Sequence, residues 1–379
     1  MNTIGSLHRF HPISLLVLIA LAACSAAPAS TTGSPLATGP SSTGTPARAS
    51  AYRVLFTAST TSGNEILLYD SASNTPQQLV SLGAGAAPEA HFVSAQKIAY
   101  VDATGESSRI MSFDLSTRAS AADVTVTGYV PAFAYSHDGS MLAYLLHDLA
   151  NKPSLHVRRR GQETSLNLNA IAGRGVGRDD ELRLEYSPDD KYLLMVDTFI
   201  GNQGQAPETG QFLVLRTADN TVAFLPPPGT SANATMATWA RHSNRLFYRD
   251  AVGVRTWDPE VHSVGTLVIG LHWYDPAPSP DDRWLAYTAI DTQFVPRVKL
   301  YDLHANQSAT TSPAPRSHPI FITADIIWSL EEVACTGECM GGPSQPSGKV
   351  FAYSLTSKSE TSLPFSDVHS LSQLSVFPG

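Results

Sequence analysis

Ser187-Pro188-Asp189-Asp190-Lys191-Tyr192-Leu193-Leu194 returns almost unchanged as Ser279-Pro280-Asp281-Asp282-Arg283-Trp284-Leu285-Ala286. A looser copy is Ser136-His137-Asp138-Gly139-Ser140-Met141-Leu142-Ala143-Tyr144. A turn followed by an apolar strand that recurs in this way marks an array of one structural unit. Pro presets φ for the first central position of the turn, and the Ser and Asp side chains accept backbone N–H groups at the corner. Aromatic and branched residues then alternate with period 2 between Pro, Asp, Asn and Gly, which reads as strand rather than helix.

The recurring turn starts at Ser94, Ser136, Ser187, Ala240, Ser279 and Ser329, giving spacings of 42, 51, 53, 39 and 50 residues. Those intervals suit a four-stranded unit with loops of variable length. In the unit around Ser279 the order is a strand from Trp273 to Pro278, the turn, and a second strand Trp284-Leu285-Ala286-Tyr287-Thr288. A third strand follows at Arg297-Val298-Lys299-Leu300-Tyr301-Asp302, and a fourth from Gln307 to Thr311. The same order recurs around Lys97-Ile98-Ala99-Tyr100-Val101 and Arg245-Leu246-Phe247-Tyr248-Arg249. Closing Asp residues, as in Tyr69-Asp70, Phe113-Asp114, Trp257-Asp258 and Tyr301-Asp302, open the next turn by side-chain acceptance.

The first unit begins at Arg53-Val54-Leu55-Phe56-Thr57, already a second strand, so its innermost strand is missing from the start of the chain. The tail from Leu371 to Phe377 supplies a candidate to fill that place and close a ring. Closure removes the exposed sheet edges that template aggregation. Units near 54, 97, 141, 191, 245, 283 and 332 predict an all-β, seven-bladed β-propeller over residues 51–379, with six or eight blades as the alternatives.

Ser-Pro-Asp-Asp/Gly followed by an aromatic or Leu-rich strand, and then a strand ending in Tyr-Asp or Phe-Asp-Leu, resembles the TolB-like, WD-type propeller repeats of exported bacterial proteins. The best matches are 131–148, 182–197 and 273–303, whereas 89–102, 235–249 and 319–335 lack the Ser-Pro-Asp core. The repeat occurs in periplasmic scaffold proteins and in propeller domains of prolyl oligopeptidase-like enzymes, so the resemblance implies a fold and not an activity.

Residues 1–23 carry a basic start around Arg9, an apolar run over 13–23 and small residues before Cys24, the pattern of a secretion signal. The run is short for a bilayer span. Leu21-Ala22-Ala23-Cys24 resembles the bacterial lipobox, which implies lipidation of Cys24 and a membrane anchor outside the cytoplasm. Acyl chains contribute about 0.8 kcal/mol per buried methylene, so several together hold stably. Apart from Leu36 and Arg48, residues 25–50 are Ser, Thr, Gly, Pro and Ala, so 24–50 reads as the lipidated Cys with a flexible linker. Such a linker reaches a root-mean-square distance of roughly 30 Å.

In an oxidising compartment Cys335 and Cys339, four residues apart in a turn-rich loop, are expected to form a disulfide. The net charge of −8 with only 15% charged residues argues against nucleic acid and against a polybasic membrane patch. Arg158-Arg159-Arg160, the one basic run, reads as a solvated strand end. The sequence contains no Gly-x-Ser-x-Gly, His-Glu-x-x-His, Walker-type or calcium-loop pattern. The five Trp residues fall mostly within strands and are expected in packing between blades.

Candidate ligand-binding residues gather ahead of or within the strands that should line the central channel and its mouth. They are Glu89, His91, Asp180, Glu181, His272, Asp275 and His318. The histidines suggest a metal site or ordinary polar packing, and the acids suggest a funnel or solvated loop ends. The sequence thus predicts a monomeric, lipid-anchored extracytoplasmic propeller that binds or scaffolds an envelope protein, peptide or glycan, with no cofactor and no catalytic residue assigned. The alternative is a propeller enzyme, a polysaccharide lyase or metal-dependent hydrolase, with its site at the channel mouth.

Overall fold

A computed structural model of the chain describes residues 51–60, 63–82, 89–168, 181–199, 209–226, 235–250, 252–269, 273–335, 344–364, 368 and 374–378. The expected signal 1–23, Cys24 and the linker lie outside the described residues, as do Asp180, His272 and Cys339.

The described strands form seven four-stranded antiparallel sheets, the blades of a β-propeller. Six blades follow the chain in order, at 90–127, 133–167, 181–224, 235–269, 273–310 and 316–362. Blade 1 is composite, with order Ser375–Pro378, Tyr52–Thr60, Gly63–Asp70, Thr75–Leu82. The C-terminal strand pairs antiparallel with the first chain segment, Val54 opposite Val376 and Arg53 opposite Phe377. First strands of neighbouring blades touch, 235–239 with 273–278 and 273–278 with 316–321, so they form the inner edge of the ring.

The core is divided into seven apolar clusters, one for each junction between adjacent blades, including the junction of blade 7 with blade 1. The second strand of blade 4, Tyr192–Phe199, shows how the sequence produces this. Its side chains alternate, so Leu193 and Met195 pack toward blade 3 while Leu194 and Val196 pack toward blade 5. A strand buried on both faces must be apolar at every position, which accounts for the continuous run after each turn. Trp239, Trp257 and Trp328 are buried in these junctions, as the sequence suggests. Trp328 closes the ring, meeting Tyr52 and Tyr69 of blade 1 at centroid distances of 6.1 and 5.4 Å.

The Ser-Pro-Asp turn joins the first and second strands of blades 4 and 6. Ser187 Oγ donates to Asp189 Oδ1 at 3.0 Å and accepts from Tyr192 N at 3.0 Å. Asp189 Oδ1 also accepts from Lys191 N at 3.1 Å. The second Asp has a separate role. Asp190 and Asp282 sit at φ 60 and 54, and from there their carboxylates leave the turn and reach the preceding blade. Asp190 Oδ1 accepts from His137 N at 2.9 Å, and Asp282 Oδ1 from Arg241 N at 2.7 Å. The repeat therefore clamps blade to blade as well as turning the chain. Blade 3 has Gly139 at the same place, φ 69, with no side chain to reach blade 2.

Two expectations are corrected. Ser329 is not a turn residue, since it lies inside the second strand of blade 7, Ile326–Ala334, and the turn falls at 322–325. Thr323 Oγ1 takes the Ser role there, accepting from Ile326 N at 3.0 Å. The basic run is not simply a solvated end, because consecutive strand residues point to opposite faces. Arg158 donates to Asp123 O of blade 2 at 2.8 Å, and Arg159 donates to Thr217 O of blade 4. Arg160, in the turn beyond, is exposed.

Candidate functional site

Strand direction sorts the connections onto two rims. The turns between first and second strands, and between third and fourth, share a turn rim. The hairpins between second and third strands, and the links from blade to blade, share a linker rim. Described residues reach the turn rim at the start of the first blade, where Tyr52 N donates to Ser71 Oγ at 2.9 Å beside the turn after Asp70.

The channel-side candidates all start from the linker rim. Glu89, 8% exposed, precedes the first strand of blade 2. Its Oε2 accepts from Phe133 N of blade 3 at 3.0 Å, and its Oε1 lies 2.9 Å from His91 Nε2 without hydrogen-bond alignment. The His91 ring meets Phe133 edge-on at 5.1 Å. Glu181 opens the first strand of blade 4, Glu181–Tyr186, and its side chain lies outside the described set.

Asp275 and His318 occupy matching places on the first strands of blades 6 and 7. Each sits in a β-bulge with left-handed φ, 53 and 51, and each is followed by Pro. Bulges re-aim side chains, and positive φ at a residue other than Gly stores strain. The structure brings the two together: His318 Nε2 is 3.8 Å from Asp275 Oδ2. Thr288 Oγ1 links them, accepting from His318 N at 3.0 Å and standing 3.2 Å from Asp275 Oδ2. Ser317 Oγ is 2.8 Å from His318 Nδ1 and donates to Glu332, a buried carboxylate. Thr288, Ser317 and Glu332 were not marked by the sequence, because each gains its role from a partner on another strand: Thr288 meets His318 across the junction of blades 6 and 7, and Ser317 meets Glu332 within blade 7. His91 and His318 belong to separate pairs, and among the described residues no group of three His, Cys, Asp or Glu is placed to hold a metal ion.

Four of the described hairpins around this mouth each carry an exposed large apolar side chain. Leu149, Val252, Phe294 and Val333 are exposed at the hairpins of blades 3, 5, 6 and 7, with Tyr129 exposed on the link into blade 3. That link is held close: a Cβ on Gly128, at φ 114, would come 2.2 Å from His147 O, so the position requires glycine. Asp250 is buried behind the blade 5 tip, where its Oδ1 accepts from Val252 N at 2.8 Å and Arg255 Nε lies 3.7 Å from its Oδ2. Cys335 follows directly on the second strand of blade 7, Ile326–Ala334.

No family model matches the chain, and no curated protein matches its sequence. Solved structures do share its fold. An oligogalacturonate lyase in complex with manganese superposes with TM-score 0.57 at 15% identity, over 80% of this chain and 86% of that one. The β-propeller domain of the trilobed protease from Pyrococcus furiosus, described as having an open velcro topology, gives 0.54 at 11% identity, over 86% and 96%. TolB from Acinetobacter baumannii gives 0.46 at 16% identity, over 68% of this chain and 62% of that one. The chain is a seven-bladed β-propeller, and its likeness to these structures extends to the fold alone.

Proposed function

We propose that the protein is a lipid-anchored extracytoplasmic propeller whose linker rim binds an envelope protein, peptide or glycan. The observation that carries the reading is the unequal distribution of exposed apolar side chains. Among the described residues, five of the eight large ones, Tyr129, Leu149, Val252, Phe294 and Val333, stand on the linker rim, the rim of the strained Asp275–His318 pair. Exposed apolar groups rimmed by charge favour a partner surface.

In this reading the lipidated Cys24 and its linker join the ring at Tyr52, on the turn rim and not on the rim that binds. The Cys335–Cys339 disulfide would stiffen the blade 7 hairpin on the linker rim. A second reading, a propeller enzyme with its site at the same mouth, is favoured by the Asp275–His318 pair at 3.8 Å.

The test is site-specific photo-cross-linking in envelopes, with the probe at Phe294 on the linker rim and at Lys358 on the turn rim. The expected result is one dominant adduct from position 294, lost in Leu149→Ser, and none from 358. Equal labelling from both rims, or none from either, overturns the reading.

A further inference from the structure

Blade 3 has two unlike faces. Leu155, Val157 and Leu166 of its outer strands pack into the apolar junction with blade 4. The face toward blade 2 carries Ser154, His156 and Arg158 on one strand, with Asn167, Ser165 and Glu163 directly opposite them on the next. Six polar residues on one face exceed what a blade junction needs, and three of them are joined in a particular order.

Glu163 Oε1 lies 2.9 Å from His156 Nδ1, and His156 Nε2 lies 3.0 Å from Ser154 Oγ. An ionised carboxylate only accepts, so Nδ1 carries the proton it donates to Glu163. The neutral ring then presents a lone pair at Nε2, and the Ser154 hydroxyl donates to it. The other acceptor near that hydroxyl, Leu146 O, is farther at 3.4 Å. The imidazole is fixed in place by stacking on Tyr144 at 4.8 Å with 12° between the planes. The Tyr144 hydroxyl bonds to Glu163 in turn, and burial together with that carboxylate holds the phenol well above its ordinary range. The side chain of Glu163 is 40% exposed and that of His156 13%, so the cluster opens to solvent at the outer edge of the ring.

A nucleophile, a base within hydrogen-bond reach and a third group orienting the base define an activated hydroxyl. We propose that Ser154 is such a nucleophile and that the outer face of blade 3 carries an acyl-transfer activity toward small, solvent-accessible esters. Ser154 Oγ bonds to the carbonyl carbon while its proton passes to His156 Nε2. The C–O bond to the alcohol breaks, and the alcohol leaves with that proton. Water then attacks the acyl-Ser154, giving its proton to His156, and the acid departs as Ser154 regains a proton. Asn167 stands directly opposite Ser154 on the same face of the strand pair. Ser154 adjoins the linker-rim hairpin of blade 3, but the site lies on the outer face of the blade and stands whether or not that rim binds a partner.

The full chain is treated with a fluorophosphonate, and the adduct is mapped by peptide mass spectrometry; hydrolysis of p-nitrophenyl acetate is followed in parallel. The expected result is one adduct, on Ser154, and hydrolysis lowered at least about 100-fold in Ser154→Ala and in His156→Gln. Glu163→Gln, which can hold the wrong tautomer, slows labelling, and Glu163→Asp restores it. Mapping on the unaltered chain needs no variant to fold. Absence of an adduct, an adduct elsewhere, or hydrolysis by a folded Ser154→Ala protein at the original rate overturns the proposal.

Discussion

On the turn rim, Ser187, Asp189 and Asp190 each have a partner within the turn or on the neighbouring blade, and the same chemistry returns at Ser279, Asp281 and Asp282. On the linker rim the recurrence is confined to local backbone geometry, as where Asp148 and Asp291 accept N–H groups of their own hairpins. The side chains at the mouth differ from blade to blade: Glu89 serves a backbone N–H, Asp275 faces His318, and Leu149 and Phe294 are exposed on their hairpins. A rim that holds the ring together must use the same residues in each blade, because each junction poses the same problem. A rim that meets a ligand is free of that constraint. The difference separates positions where substitution costs stability from positions where it costs recognition.

The largest effect is expected where the ring closes. Val376 lies opposite Val54, Phe377 lies under Arg53 with the guanidinium 5.4 Å from its ring, and Ser375 Oγ accepts from Phe92 N of blade 2 at 2.9 Å. Truncation after residue 373 removes the pairing and these contacts. It should lower stability by about 3 kcal/mol or more and Tm by about 5–10 °C, and it exposes a sheet edge. Melting together with light scattering reads both. An unchanged Tm would mean that blade 1 does not need its innermost strand.

A smaller loss is expected at the clamps. Asp282 receives Arg241 N at 2.7 Å, His242 N at 3.1 Å and Ser243 Oγ at 3.2 Å from blade 5. Asp282→Gly retains the left-handed turn and deletes only the clamp, so it should cost about 1–3 kcal/mol by denaturant unfolding. It should leave cross-linking from position 294 unchanged. A loss of cross-linking without a loss of stability would erase the distinction between the rims.

The smallest effect is in acid. Asp189 is partly desolvated, which raises its pKa, but hydrogen bonds from Lys191, Asn244 and Ser187 outweigh that and hold it at about 2. Bonds from Ser136 and Ser140 hold Asp138 at about 2 as well. A carboxyl depressed in the folded state stabilises above its unfolded value and loses that contribution as pH falls toward the folded value. The turn rim should therefore weaken between about pH 4 and pH 2, and Asp189→Asn should flatten that limb of a Tm-against-pH curve.

Much of the fold is legible because the repeat is local. The turn needs Ser, Pro and Asp at fixed offsets, and the second strand needs an apolar residue at each position, so blade 6 reads off the sequence with its first strand at Trp273–Pro278 as expected. Blade 7 misleads at Ser329 because Thr323 and Asp325 replace the Ser-Pro-Asp core, leaving spacing as the guide. The site is less legible. Asp275 and His318 are visible as an acid and a histidine on inner strands, but Thr288, Ser317 and Glu332 acquire meaning only through contacts 15 to 30 residues away in sequence. Ser154, His156 and Glu163 are similarly scattered until two strands pair.

By itself the sequence determined the blade unit and pointed to seven blades and to a C-terminal strand that closes the ring, since turn chemistry and period-2 burial act over a few neighbouring residues. The tertiary structure alone decided which Asp clamps the preceding blade, which arginines cross a junction, and which Ser, Thr and Glu surround His318 and His156. Those choices depend on the register of paired strands and the approach of adjacent blades, and a one-residue slip in either would turn each side chain to the other face.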